Sequence, residues 1–258
     1  MTIKTYSAFS YNHRITTDNN QLPFSEDGII QLVGVLRSGG YTIGDFAIEM
    51  ARAMNEVGTL NYVATVDRST GLISIAGDSN FFLYVTSSTL SSISAYSALG
   101  FTVEKSGADN YVGDERSGSF FEPQFYLQKY VDFIDSQKAN NVTVNESASG
   151  KIQVIKYGDV NFMECNITLQ TNIEQSKGSV IKNLPGYDDL LAFMQYAVTK
   201  NPLEFYRDID DLDNSLVECL LEKTAADSKG TGFKLKELYS KGFADWWETG
   251  IITFRELK

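Results

Sequence analysis

The densest run of oxygen ligands in the chain is Asp208-Ile209-Asp210-Asp211-Leu212-Asp213-Asn214. Such a loop could surround Ca²⁺, but a helix–loop–helix site needs oxygen side chains at positions 1, 3 and 5, glycine at 6 and glutamate at 12. Counted from Asp208, those later places hold Leu212, Asp213 and Cys219, so the cluster reads as a solvated acidic turn between strands. Ser38-Gly39-Gly40-Tyr41-Thr42 precedes a helix, yet it has no lysine and lacks P-loop or dinucleotide spacing, which leaves a strand-to-helix turn. Glu164 and Glu218 could be proposed as a glycosidase acid/base pair, a chemistry that depends on a carboxylate separation no sequence contains. Each reads as the polar face of a strand. His13 is the single histidine. Zinc sites, Ser-His-Asp triads and Cys-His pairs all require imidazole, and one histidine among the polar residues of an N-terminal strand supports none of them. Cys165 and Cys219 read as reduced, half-buried small hydrophobes, because a chain of this size needs no disulfide framework. Trp246-Trp247, with Tyr239 and Phe243, could stack on a sugar, although such clusters more often fill cores and subunit contacts. No catalytic residue, cofactor-binding residue or metal ligand is expected.

The chain that must position these groups has 258 residues, 43 % of them hydrophobic and 21 % charged. That is ordinary for a folded protein and long enough for two domains. The net charge is −11; up to residue 115 there are 6 Lys/Arg against 12 Asp/Glu, and beyond it 16 against 21. Both parts are acidic, so no domain-wide positive field exists to hold nucleic acid through its phosphates. No run approaches the ~20 apolar residues that span a bilayer. The first residues lack the apolar core of a signal peptide, so synthesis in the cytoplasm is expected.

Thr42 is placed to cap a helix whose apolar positions Ile43, Phe46, Ala47, Met50, Met54 and Val57 recur at helical spacing, with Gly58 as its stop. Extended runs surround it: Tyr6 to Thr17, Gln21 to Phe24, Ile29 to Leu36, and Tyr62 to Val66. Asp67-Arg68-Ser69-Thr70-Gly71 reads as a hairpin loop returning through Leu72 to Ile75. Phe81 to Val85 is a further strand, followed by a short Ser-rich helix. Residues 105–119, rich in Gly, Ser and Asp, read as a linker. Beyond it, Ile152 to Tyr157 is a short strand turned by Gly158-Asp159. From Met163 to Ile173 the alternation is unbroken, with Met163, Cys165, Ile167 and Leu169 on one phase and Glu164, Asn166, Thr168 and Gln170 on the other. Pro185-Gly186 introduces a second helix with Leu190, Phe193, Met194, Ala197 and Val198 as its buried stripe. Strands are expected at Leu203 to Arg207, Leu216 to Lys223, Phe243 to Glu248 and Gly250 to Arg255. The fold class is therefore α+β: an N-terminal α+β module over 1–104, a linker over 105–119, and a mostly β, sandwich-like domain over 120–258 carrying one packed helix.

From Tyr41 to Phe101 the order of features is a Tyr-Thr start to an amphipathic helix and a Tyr-Val-Ala-Thr-Val-Asp-Arg-Ser-Thr-Gly hairpin. Next come an Ile-Ser-Ile strand, an Asn-Phe-Phe-Leu strand, a Ser/Ala helix and Leu-Gly-Phe. This resembles a module of tail and baseplate proteins of tailed bacteriophages, over roughly 60 residues. The C-terminal part is similar, more loosely, to the tail-tube and distal-tail class, whose members close rings from a β-sandwich bearing one helix.

The resemblance implies a non-enzymatic virion tail protein, found in the distal tail or baseplate near the tube. Its implied partners are copies of itself, in a hexameric or trimeric ring, and tube, sheath or hub proteins; neither a membrane nor a specific nucleic acid is implied. The residues expected at those contacts are Phe120, Phe121, Phe125 and Tyr126 from the aromatic cluster, Glu164, Asn166, Thr168 and Gln170 from the polar phase of the long strand, and Trp246 and Trp247. The alternative is a carbohydrate- or receptor-binding adaptor using the tryptophan pair. A cell-wall hydrolase using Glu164 and Glu218 is a third possibility.

Overall fold

The computed structural model describes residues 8–121, 131–146, 149–170, 187–208, 211–239 and 246–257. At 131–143, 155–159, 168–170, 187–189, 236–239 and 246–247 it describes backbone. The chain divides into two compact units, residues 1–121 with 201–216, and residues 122–200 with 217–258. The first unit opens with β1 (Ala8–Tyr11), β2 (Arg14–Ile15), β3 (Gln21–Ser25), β4 (Leu32–Val35) and β5 (Gly39–Gly40). It continues with α1 (Ile43–Asn55), β6 (Val63–Asp67), β7 (Leu72–Leu83), β8 (Lys105–Val112) and β9 (Ser119–Phe121). The second unit contributes β10 (Val131–Glu146), β11 (Ile152–Gln170) and α2 (Tyr187–Val198). The chain returns to the first unit for β12 (Leu203–Tyr206) and the one-turn α3 (Leu212–Ser215). It ends with β13 (Leu216–Lys223), β14 (Lys236–Tyr239) and β15 (Trp246–Glu256). The architecture is α+β, strand-rich with few helices.

In the first unit α1 forms where its spacing predicts but ends at Asn55, so that Val57, expected on its apolar stripe, lies beyond the helix and is exposed. The Thr42 hydroxyl accepts the Asp45 N–H at 3.1 Å, and Asp45 and Arg52 sit at the ends of the helix where the macrodipole favours their charges. Its buried face, Ile43, Phe46, Ala47, Met50, Ala53 and Met54, lies among Leu22, Phe24, Ile73, Ile75, Phe81 and Leu83 of the strands. Full burial of a side chain such as Phe46 or Met50 contributes about 2 kcal/mol. β4 comes so close to α1 that a Cβ on Gly34 would lie 2.9 Å from the Ala53 carbonyl oxygen. The sheet beneath runs β4-β3-β7-β6, with β8 also paired to β7. Rings of Phe24, Tyr62, Phe81 and Tyr111 follow one another edge-on through its core, with centroids 4.8–5.5 Å apart. β1 is flanked by β9 and β12, both antiparallel to it, so that Phe9 pairs with Phe121 on one side and Phe205 on the other.

Several expectations are corrected here. Residues 105–119 are not a linker: β8 occupies 105–112 and pairs with β7, and β9 begins at Ser119. Gly, Ser and Asp suit this segment because it is a bulged sheet edge, where charge and irregularity discourage pairing with other chains. The first unit runs to Phe121 and regains 201–216, so neither 104 nor 120 is a boundary. Leu72 to Ile75 and Phe81 onward belong to one strand, β7, whose pairing with β8 shifts between Ala76 and Phe81. The Ser-rich helix is a single 3-10 turn at Ser91–Ile93. The run expected to be extended from Ile29 enters its strand later: β4 begins only at Leu32, after a turn in which the Asp27 carboxylate accepts the Ile29 and Ile30 N–H groups.

In the second unit the buried phase Met163, Cys165 and Ile167 holds as predicted, paired through Met163↔Phe254 and Cys165↔Ile252 to buried residues of β15. β15 pairs with β11, β13 and β14. It is one strand rather than two, with Gly250 at φ +63° where the pairing with β11 slips by a residue. α2 buries Leu190, Phe193, Met194 and Ala197, and the Phe193 ring lies 6.3 Å from that of Phe254. Lys200, just after the helix, has φ +61°, a conformation usually left to glycine; its ammonium bonds the Leu221 and Glu222 carbonyls, which holds the side chain in place. Ile152 to Tyr157 and Met163 onward are one continuous β11, and β10 extends through the polar residues up to Glu146.

Candidate functional site

Carboxylates are where chemistry would be sought in a chain this acidic, and several of those that the structure describes are engaged by donors of nearby or facing segments. Glu26 Oε1 accepts the N–H groups of Thr59 at 2.7 Å and Leu60 at 2.9 Å and the Tyr62 hydroxyl at 3.1 Å. Burial raises its pKa, and these hydrogen bonds outweigh the burial and hold the group below the ordinary carboxylate range. Asp114 receives the N–H groups of Thr102 and Val103, and Asp227 those of Lys229, Thr231 and Gly232. Glu49 accepts the Arg37 N–H at 2.7 Å and pairs with Arg52 at 2.6 Å, which allows a charge on the packed side of α1. Glu204 is fully buried. It pairs with Arg68 at 2.9 Å, accepts the Tyr206 hydroxyl, and receives the Gly44 N–H at the start of α1 at 3.4 Å. Arg68 also donates to the Tyr206 oxygen at 3.0 Å. These are acceptors fixed by donors on the same chain, an arrangement that holds loops together.

The other chemical candidates are likewise built into the fold. His13 is buried beside Phe46, with Nε2 at 3.2 Å from the Ser117 carbonyl oxygen. Burial holds Cys165 in the thiol form by pushing its pKa up to about 12, with the Glu164 charge adding to the effect. At the described residues of the acidic cluster, the Asp211 N–H donates to the Asp208 carbonyl and the Asp211 carboxylate accepts from Asn214 at 2.8 Å, beside the start of α3. Among the described residues no group of three or more His, Cys, Asp and Glu could hold a metal ion.

The expected contact residues fall into three sets. Phe121 is buried against β1 within the first unit, which leaves it no surface for the expected contact. Phe120 is half-buried next to it, with the Arg116 guanidinium 3.5 Å above its ring. Glu164 and Asn166 are half-buried on β11; Glu164 accepts the Thr253 hydroxyl at 3.2 Å and lies 3.8 Å from the Lys223 ammonium. Thr168 and Gln170 continue that strand, and Trp246 and Trp247 stand opposite Gln170 and Leu169 in the β11–β15 register; the side chains of these four lie outside the described residues. So do Phe125 and Tyr126 entirely.

The surface that sequence reasoning missed is the outer half of the β10–β11 hairpin. Its pairing runs from Val131↔Ile167 to Glu146↔Ile152, whereas β15 joins β11 only from Phe162 inward. Among the described residues, Ile152 to Asn161 therefore pair with β10 alone, a two-stranded ribbon about 30 Å long at the usual strand rise. Val144 stands opposite Val154. Ile152, two residues along, shares their face. The three side chains are 61 %, 62 % and 66 % exposed for Val144, Val154 and Ile152. A second exposed aliphatic pair is Ile29 and Ile30, at 85 % and 63 %, in the turn after β3. The β-branched alternation at 142, 144, 152 and 154 was the available signal. The polar composition of Asn140 to Gly150 masks it.

No protein-family model matches the chain, and no curated protein matches it.

Proposed function

We propose that the chain is a structural subunit of a bacteriophage tail, in the distal tail or baseplate near the tube, which acts by closing a ring and linking tube, sheath or hub components. The observation that carries this reading is the β10–β11 ribbon with its exposed aliphatic face. A two-stranded hairpin is marginal by itself in water, and exposed strand edges with aliphatic side chains invite partners. Covering such an element with another subunit stabilises it and gives the partner backbone hydrogen bonds or an apolar seat. The resemblance of residues 41–101 to tail and baseplate modules supports the setting. The net charge of −11 suits a component beside a DNA channel, since an acidic surface repels phosphates.

The test is the mass of the purified chain by sedimentation equilibrium across a concentration series, with electron microscopy of the particles and pull-down with tube and hub proteins. Rings of three or six copies, or capture of those proteins, are expected. A strict monomer with affinity for none of them overturns the reading.

A further inference from the structure

We draw no further inference here: the strongest candidate, the exposed aliphatic face of Val144, Ile152 and Val154 at the tip of the β10–β11 ribbon, belongs to the surface already described, and nothing in the structure shows what covers it.

Discussion

At His13 the first unit encloses a neutral imidazole. Burial is the main cause of its pKa falling from 6.5 to about 4, opposed by the hydrogen bond to the Ser117 carbonyl and reinforced by the positive charge of Arg116. Protonation therefore favours the unfolded chain. The stability due to the neutral ring is complete above pH 6.5 and is lost as the pH falls towards 4, at about 1.4 kcal/mol per pH unit and about 3 kcal/mol in all. Urea titrations of the natural chain and a His13→Gln variant between pH 7.5 and 4 should show this extra slope in the natural chain alone; parallel curves would refute it. Glu204 poses the opposite problem, a buried charge satisfied by its neighbours. Glu204→Gln leaves Arg68 without its counter-charge and is expected to cost about 3 kcal/mol, whereas Glu204→Leu combined with Arg68→Met restores most of that loss. Thermal unfolding of the single and double variants checks this, and additive losses would show that the pair is not coupled.

Elements in this chain are decided by local pattern in some places and by distant pairing in others. α1 was legible because its cap, its periodic apolar face and its stop lie within some seventeen consecutive residues, and the same holds for the Met163–Ile167 alternation. Thr42→Ala should accordingly cost about 1 kcal/mol, seen as a lower urea midpoint with an unchanged slope. Gly34→Ala should cost more, about 1–3 kcal/mol, because its new methyl meets the Ala53 backbone, which cannot rotate away as a side chain would. A Gly34→Ala chain as stable as the parent would mean that β4 and α1 are not held so close. That closeness could not be read from the sequence, since a glycine in a strand has several explanations. Nor could the continuity of β7 across Gly77 to Asn80, where turn-forming residues are carried through a strand by pairing with β8 on either side of the irregularity. Composition misled most at 105–119. Gly, Ser and Asp favour a loop when considered alone, and only the partner strand reveals an edge. For the contact surface the failure had the same origin: alternation at 142–144 and 152–154 acquires meaning only once the two segments are known to face each other.

At the scale of the whole molecule, the route of the chain governs what can fold alone. The backbone leaves the first unit after Phe121, comes back for 201–216, and leaves again. The returning piece is no ornament: β12 covers one side of β1, and Glu204 and Tyr206 supply the partners of Arg68. A fragment of residues 1–121 therefore lacks a strand beside Phe9 and strands a charge, although it contains α1 and most of the apolar core of the first unit. It is expected to keep strand and helix signals in far-ultraviolet dichroism while losing a sharp thermal transition, as partly packed chains do. Joining Phe121 to Asn201 with a flexible linker of about 12 Gly/Ser residues, long enough to reach from β9 across β1 to β12, should restore cooperative unfolding. Glu204→Ala in that joined chain should abolish the gain. If 1–121 alone melts as sharply as the joined chain, the returning segment is a passenger and the first unit is complete without it. The three crossings also make proteolysis informative: a cut between 122 and 130 leaves 201–216 attached to the other unit, so the two products should stay associated under native conditions through β1–β12 pairing and separate in denaturant.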